Sequence, residues 1–83
     1  MEKIFNRVKD IVEGRGGRVE INAMDENCLY LWLIDGDGNN TQLEIEPTGE
    51  FTFTFGFTSD DFNAKILLHI IRFLIDEDFY FNY

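Results

Sequence analysis

Four phenylalanines at every second position, Phe51, Phe53, Phe55 and Phe57, put one aromatic face on an extended segment, with Thr52, Thr54 and Gly56 on the other. Strand side chains alternate between faces, so this period of two demands a sheet with one face buried. The same period recurs upstream. In residues 18–24, Val19, Ile21 and Ala23 oppose Glu20 and Asn22; in residues 41–46, Leu43 and Ile45 oppose Gln42, Glu44 and Glu46. Residues 28–34 are apolar on both faces, which suits a central strand. Turns at 25–27, 35–40 and 47–50 separate the strands, and the Asp/Gly/Asn run of the second tolerates positive φ. Four strands joined by short turns imply an antiparallel meander.

Helical periods flank the strands. Ile4, Phe5, Val8, Ile11 and Val12 share one face of a 3.6-residue repeat, and Gly14, Gly16 and Gly17 end it. Near the C-terminus, Phe62, Ile66, Leu67, Ile70, Ile71, Phe73 and Leu74 leave a narrow polar stripe of Asp61, Lys65, His69, Arg72 and Asp76. Thr58 or Ser59 is the expected cap, with Asp60 and Asp61 at the positive end of the helix dipole. The expected architecture is a single α+β domain over residues 1–83, α-β-β-β-β-α, with both helices on one face of the sheet. The breadth of the apolar surface also allows self-association, through the last helix or an edge strand at 51–57.

Charge sets the class of partner. Residues 1–18 hold five bases against three acids, a net of +2; residues 19–83 hold two bases against thirteen acids, a net of −11. Such a field repels nucleic acid and anionic membranes and attracts basic surfaces. Acids also keep a small protein soluble, and composition alone does not separate the two roles. There is neither an apolar run long enough to span a bilayer nor the apolar core of a signal peptide at the start. The lone Cys28 cannot form an internal disulfide, and a reducing, cytoplasmic compartment is the simplest reading.

The meander places the acids in space. Its first and third turns share one end, end A, with the C-terminus of the last helix; this gathers Asp25, Glu26, Glu50, Asp76, Glu77 and Asp78. The opposite end, end B, gathers Asp35, Asp37, Asp60 and Asp61, with Arg15 and Arg18 nearby. A second candidate surface is the sheet face away from the helices, carrying Glu20, Asn22, Tyr30, Trp32, Gln42, Glu44, Glu46, Thr52 and Thr54. Aromatics flanked by carboxylates there can stack on arginine and accept its hydrogen bonds. Asp76, Glu77 and Asp78 follow a helix C-terminus, where the dipole disfavours acids; they are either contacts or a frayed polar tail.

Catalytic chemistry is not expected. Cys28 lies among core-type strand residues and the lone His69 on a helix, and both types are more often structural there. Zinc lacks ligands, and the Gly14-Arg15-Gly16-Gly17 run ends a helix instead of joining a strand to one. Asp35, Asp37, Asn39 and Glu46 match positions 1, 3, 5 and 12 of a calcium loop. Asn40 stands where that loop needs glycine, and the flanks read as strands, so a plain hairpin is the better account. No cofactor and no metal are expected.

An opening amphipathic helix, a meander with the Asp35 to Asn40 hairpin, and the acidic-aromatic run Asp76-Glu77-Asp78-Phe79-Tyr80 together resemble small acidic phage anti-CRISPR proteins of the DNA-mimic kind. The resemblance implies an inhibitor that sets carboxylates where a nuclease expects phosphates. Its partner would be a basic nucleic-acid-binding protein, a CRISPR nuclease or another host defence protein, with no direct contact to nucleic acid or membrane. It carries over Asp35, Asp37, Asn39, Asp76, Glu77 and Asp78 as contacts. The chain departs from that pattern in having a further strand, residues 51–57. Two other readings stand beside it: a toxin-immunity protein capping a toxin nuclease, and a homodimeric structural domain.

Overall fold

The computed structural model describes residues 1–55 and 61–81. The order is α1 (Glu2–Glu13), β1 (Arg18–Met24), β2 (Leu29–Ile34), β3 (Asn40–Ile45), β4 (Glu50–Phe55), α2 (Ala64–Asp76) and β5 (Tyr80–Phe81). The first four strands form the expected antiparallel meander, and β5 joins it to give the sheet order β1-β2-β3-β4-β5. No helix among the described residues is long and apolar enough to cross a membrane.

In α1 the apolar stripe buries Ile4, Val8, Ile11 and Val12. Gly14, expected to break the helix, keeps right-handed dihedrals. The left-handed residue is Gly16, at φ 82°. Its N–H donates to the Glu13 carbonyl at 3.0 Å and that of Gly17 to Val12 at 3.1 Å, a Schellman closure. Gly17 is required for a different reason: a Cβ there would run into the Ile34 carbonyl and lie 2.8 Å from Val12.

Both helices pack on one face of the sheet. Leu29, Leu31, Leu33, Leu43, Ile45, Phe51 and Phe53 point into a core shared with the α1 stripe and with Ile66, Ile70 and Leu74 of α2. Fully burying each such side chain contributes about 1.5–3 kcal/mol. Buried Thr41 satisfies its hydroxyl by donating to the Thr54 carbonyl at 3.2 Å.

Three further details differ from expectation. First, β1 carries a bulge between Ile21 and Ala23. The extra residue, Asn22, shifts the alternation, so Ala23 pairs with Tyr30 on the outer face and Met24 with Leu29 on the inner face. Second, α2 is capped by Asn63, whose Oδ1 accepts the N–H groups of Lys65 (2.9 Å) and Ile66 (3.4 Å). Thr58, Ser59 and Asp60, the residues expected to cap and charge this terminus, lie outside the described residues, as does Phe57. Phe62 precedes the helix and is buried; it and Leu67 occupy the two positions of a hydrophobic staple. Third, the chain after α2 does not fray. Asp78 takes φ 69°, its N–H donates to Ile75 at 3.1 Å, and that of Phe79 donates to Leu74 at 3.0 Å. This second Schellman turn aims Tyr80 and Phe81 at β4, where they pair in parallel with Glu50 and Phe51. Phe81 stacks on Phe51 at 5.2 Å between ring centroids and meets Phe53 edge-on at 6.1 Å. The start of β4 is therefore covered, not a free edge.

Candidate functional site

The topology assembles the acids in the ends expected from the meander. Asn63 N–H donates to Asp35 Oδ2 at 2.9 Å, which fixes the start of α2 at end B. The Glu50–Tyr80 pairing fixes the exit of α2 at end A. The Lys3–Glu77 pair, 3.9 Å apart, brings the start of α1 to end A as well.

At end A, Asp25, Glu26, Asp76, Glu77 and Asp78 are exposed and Glu50 is half-buried. Asp25 also shapes its turn: Oδ1 accepts the N–H groups of Asn27 at 2.8 Å and Cys28 at 2.9 Å. The Asn27 N–H, with the Cys28 thiol and N–H, holds the Asp25 carboxyl below its ordinary value. The same contact and burial push the Cys28 thiol up. Glu77 meets Lys3 at the surface, where such a pair is worth about 0–1 kcal/mol.

End B is less acidic at its surface than the residue list implies. Asp37 and Asp61 are exposed, but Asp35 is only 4% exposed. Its Oδ1 accepts the N–H groups of Asp37 and Asn39, both at 2.9 Å, and its Oδ2 accepts from Asn63. Asn39, half-buried, spends its amide on the Asp61 carbonyl at 3.1 Å and on Asp35 Oδ2 at 3.5 Å. Asp35 and Asn39 therefore build the loop. Residues 35–39 form the hairpin connection between β2 and β3, and Glu46 lies just past the far end of β3. Six residues of strand separate them by about 20 Å, so Asp35 and Glu46 do not share a calcium loop.

On the outer face, the register sets Glu20, Trp32, Gln42 and Thr54 in one row, and Ala23, Tyr30, Glu44 and Thr52 in the next. Tyr30 and Trp32 are half-buried. The Tyr30 hydroxyl reaches diagonally to both Glu46 carboxylate oxygens, at 3.2 and 3.1 Å. That hydrogen bond is the main reason the Tyr30 hydroxyl titrates above its ordinary value. Thr54 Oγ1 donates to Glu44 Oε2 at 3.2 Å. Asn22, assigned to this face from its alternation, stands at the bulge instead. Of the nine residues assigned to this face, seven, Glu20, Trp32, Gln42, Thr54, Tyr30, Glu44 and Thr52, sit in these two adjacent rows, with Glu46 bonded to Tyr30.

Cys28 and His69 do not come together. Cys28 sits at end A against Asp25, while His69 lines a groove on the outer side of the helix layer. That groove also holds Lys65 and Arg72 of the polar stripe together with Arg7 and Arg15, and it is the meeting with these last two that the sequence does not show. The signal in the sequence is limited to the i, i+4, i+7 spacing of Lys65, His69 and Arg72, which puts them on one helix face. Comparison with models of known protein families, with curated proteins and with solved structures finds no match to this chain.

Proposed function

We propose that this chain is an acidic inhibitor that occupies the nucleic-acid-binding surface of a basic partner, a CRISPR nuclease or other host defence protein, by imitating nucleic-acid charge. One observation carries the reading. The sequence has no lysine or arginine between Arg18 and Lys65, so the sheet from Val19 onward presents carboxylates with no cation of its own among them. Glu20, Glu44 and Glu46 surround Tyr30 and Trp32 on the outer face, and Asp25, Glu26 and Glu50 extend the charge to end A. Arginines of a nucleic-acid site can pair with such carboxylates and stack on such rings. Guide-loaded CRISPR nucleases and a set of toxin nucleases form the test panel. The reading expects one of the CRISPR nucleases to lose DNA binding when the chain is added, with excess DNA competing the chain off. Inhibition confined to a toxin nuclease would favour the immunity reading instead, and binding that DNA does not compete would remove the mimicry.

A homodimeric domain is the second reading, favoured by Leu68 and Ile75 of α2, which are 61% and 52% exposed and lie two helical turns apart on one side. Sedimentation at high concentration distinguishes it, since a monomer throughout leaves that face without a self-partner.

A further inference from the structure

The two helices carry five bases against four acids, a net of +1, and three of those bases face one groove. Between α1 and α2 runs an open groove of about 550 Å³, a size typical of small-ligand sites. Arg7, Arg15, Lys65 and Arg72 line it, four of the chain's seven bases, together with His69. Among the described residues lining it, Asp76 is the one acid. None of the four cations is in an ion pair among the described residues, although the chain carries sixteen acids. Arg7 instead lies over the Phe73 ring, 5.9 Å from its centroid, with Phe73 forming part of the groove wall. Lys65 is the second residue of α2, whose first turn has no acid. The positive end of the helix dipole disfavours a lysine there, so neither helix stability nor pairing accounts for it.

We infer that this groove binds a small phosphorylated anion, a diphosphate or the phosphate tail of a nucleotide. Three guanidiniums supply forked donors that match phosphate oxygens in pairs, and Lys65 adds a point charge from the α2 side. The acidic sheet does not forbid this. The groove is on the far side of the helices, about one helix diameter, ~10 Å, from the sheet, and charges in solution are screened over about 8 Å at physiological salt.

The test is titration calorimetry of the full chain with pyrophosphate, with ATP and with a short poly-glutamate peptide, alongside NMR of the arginine side-chain Nε–H groups. Pyrophosphate is expected to bind with a Kd of roughly 100 µM or tighter at low salt, shifting the Arg15 and Arg72 signals. R15Q and R72Q change exposed side chains, and each is expected to weaken binding about tenfold with an unchanged amide spectrum, a loss of about 1.4 kcal/mol. Equal affinity for pyrophosphate and ATP assigns the site to phosphate alone; tenfold tighter ATP binding assigns it to a nucleotide whose base lies against the groove's apolar wall. Poly-glutamate binding more tightly than both phosphates overturns the ligand class. Absence of heat and of arginine shifts at millimolar pyrophosphate and ATP overturns the site.

Discussion

The Asp35 carboxylate accepts the backbone N–H of Asn63 at 2.9 Å, tying the β2–β3 loop to the residue that caps α2. The same side chain accepts two N–H groups of its own loop. One buried carboxylate thus holds three backbone donors across 28 residues of sequence.

Replacing Asp35 removes all three acceptors at once. D35A is expected to cost about 3 kcal/mol, since each buried donor left without a partner costs about 1–3 kcal/mol and water reaches some of them. D35N keeps one oxygen and turns its amide toward the Asn63 N–H, for about 1–2 kcal/mol. A chain of this length has a total stability of about 4–12 kcal/mol, so the alanine variant removes a large share. Urea unfolding measures both, and a loss below about 0.5 kcal/mol for D35A would show that the loop and cap stand without it.

Asp78 holds the left-handed position that Gly16 holds in the other Schellman turn. Glycine takes this conformation without steric cost, and an acid at a helix C-terminus opposes the dipole. D78G is expected to stabilise the fold by about 0.5–1 kcal/mol, after allowing for the extra freedom glycine gives the unfolded chain. D78V is expected to destabilise it, because a β-branched residue does not suit positive φ. A midpoint unchanged in both variants would mean the turn is indifferent to this residue.

The fold was legible where the period was long. Strands alternating over five or more residues and the apolar stripe of α1 stand where the sequence puts them, whereas α2 begins only at Ala64, after Phe62 that the period counts in the helix. What escaped was set by single residues or by tertiary contact. The bulge at Asn22 flips Ala23 to the outer face, yet the sequence keeps an alternation that reads straight through it. Two residues cannot show a period, so β5 is visible only once the Asp78 turn delivers it to β4. Asp35 read as a surface acid because its burial depends on Asn63, 28 positions away. The acids of the outer face were legible as a group, because alternation alone assigns Glu20, Glu44 and Glu46 to one side.

Three titrations at end A and the outer face contribute a pH dependence to stability. Asp25 is held below its ordinary value of 3.8 chiefly by the Asn27 N–H; its contribution is present above that pH and is lost as pH falls through the depressed value. Cys28 and Tyr30 are raised above 9.0 and 10.0, by the contacts with Asp25 and Glu46; their contributions are present below those values and are lost as pH rises through the raised ones. Stability should therefore hold level from about pH 5 to 8 and fall on both sides. The thiol gives a sharper measurement. At pH 8 a raised thiol holds less thiolate, so Cys28 should alkylate more slowly than a free cysteine, and D25N should speed it. Equal rates in wild type and D25N would remove the hydrogen bond from the account.

Binding by charge imitation makes a further demand, that acids can be removed without loss of the fold. Asp76, Glu77 and Asp78 meet it by their surroundings. All three are exposed, their one ion pair among the described residues is the surface contact of Glu77 with Lys3, and they lie at the negative end of α2. Changing them together to Asn, Gln and Asn keeps at position 78 a residue that tolerates positive φ, and it relieves an unfavourable dipole interaction of about 0.3–1 kcal/mol per acid. The triple variant should match or exceed wild type in thermal midpoint while binding a basic partner more weakly, chiefly through a slower on-rate. The wild-type on-rate should itself fall steeply between 50 and 300 mM salt, roughly the range over which the Debye length shrinks from about 14 to 6 Å. A parallel pair, E20Q with E44Q, separates the surfaces, because it discharges the rows around Trp32 and Tyr30 and leaves the Tyr30–Glu46 bond in place. Loss in the triple variant alone assigns binding to end A, and loss in the pair alone assigns it to the outer face. An on-rate that neither set changes and salt does not slow would mean that charge does not guide the encounter, and the proposed inhibitor would lose its mechanism.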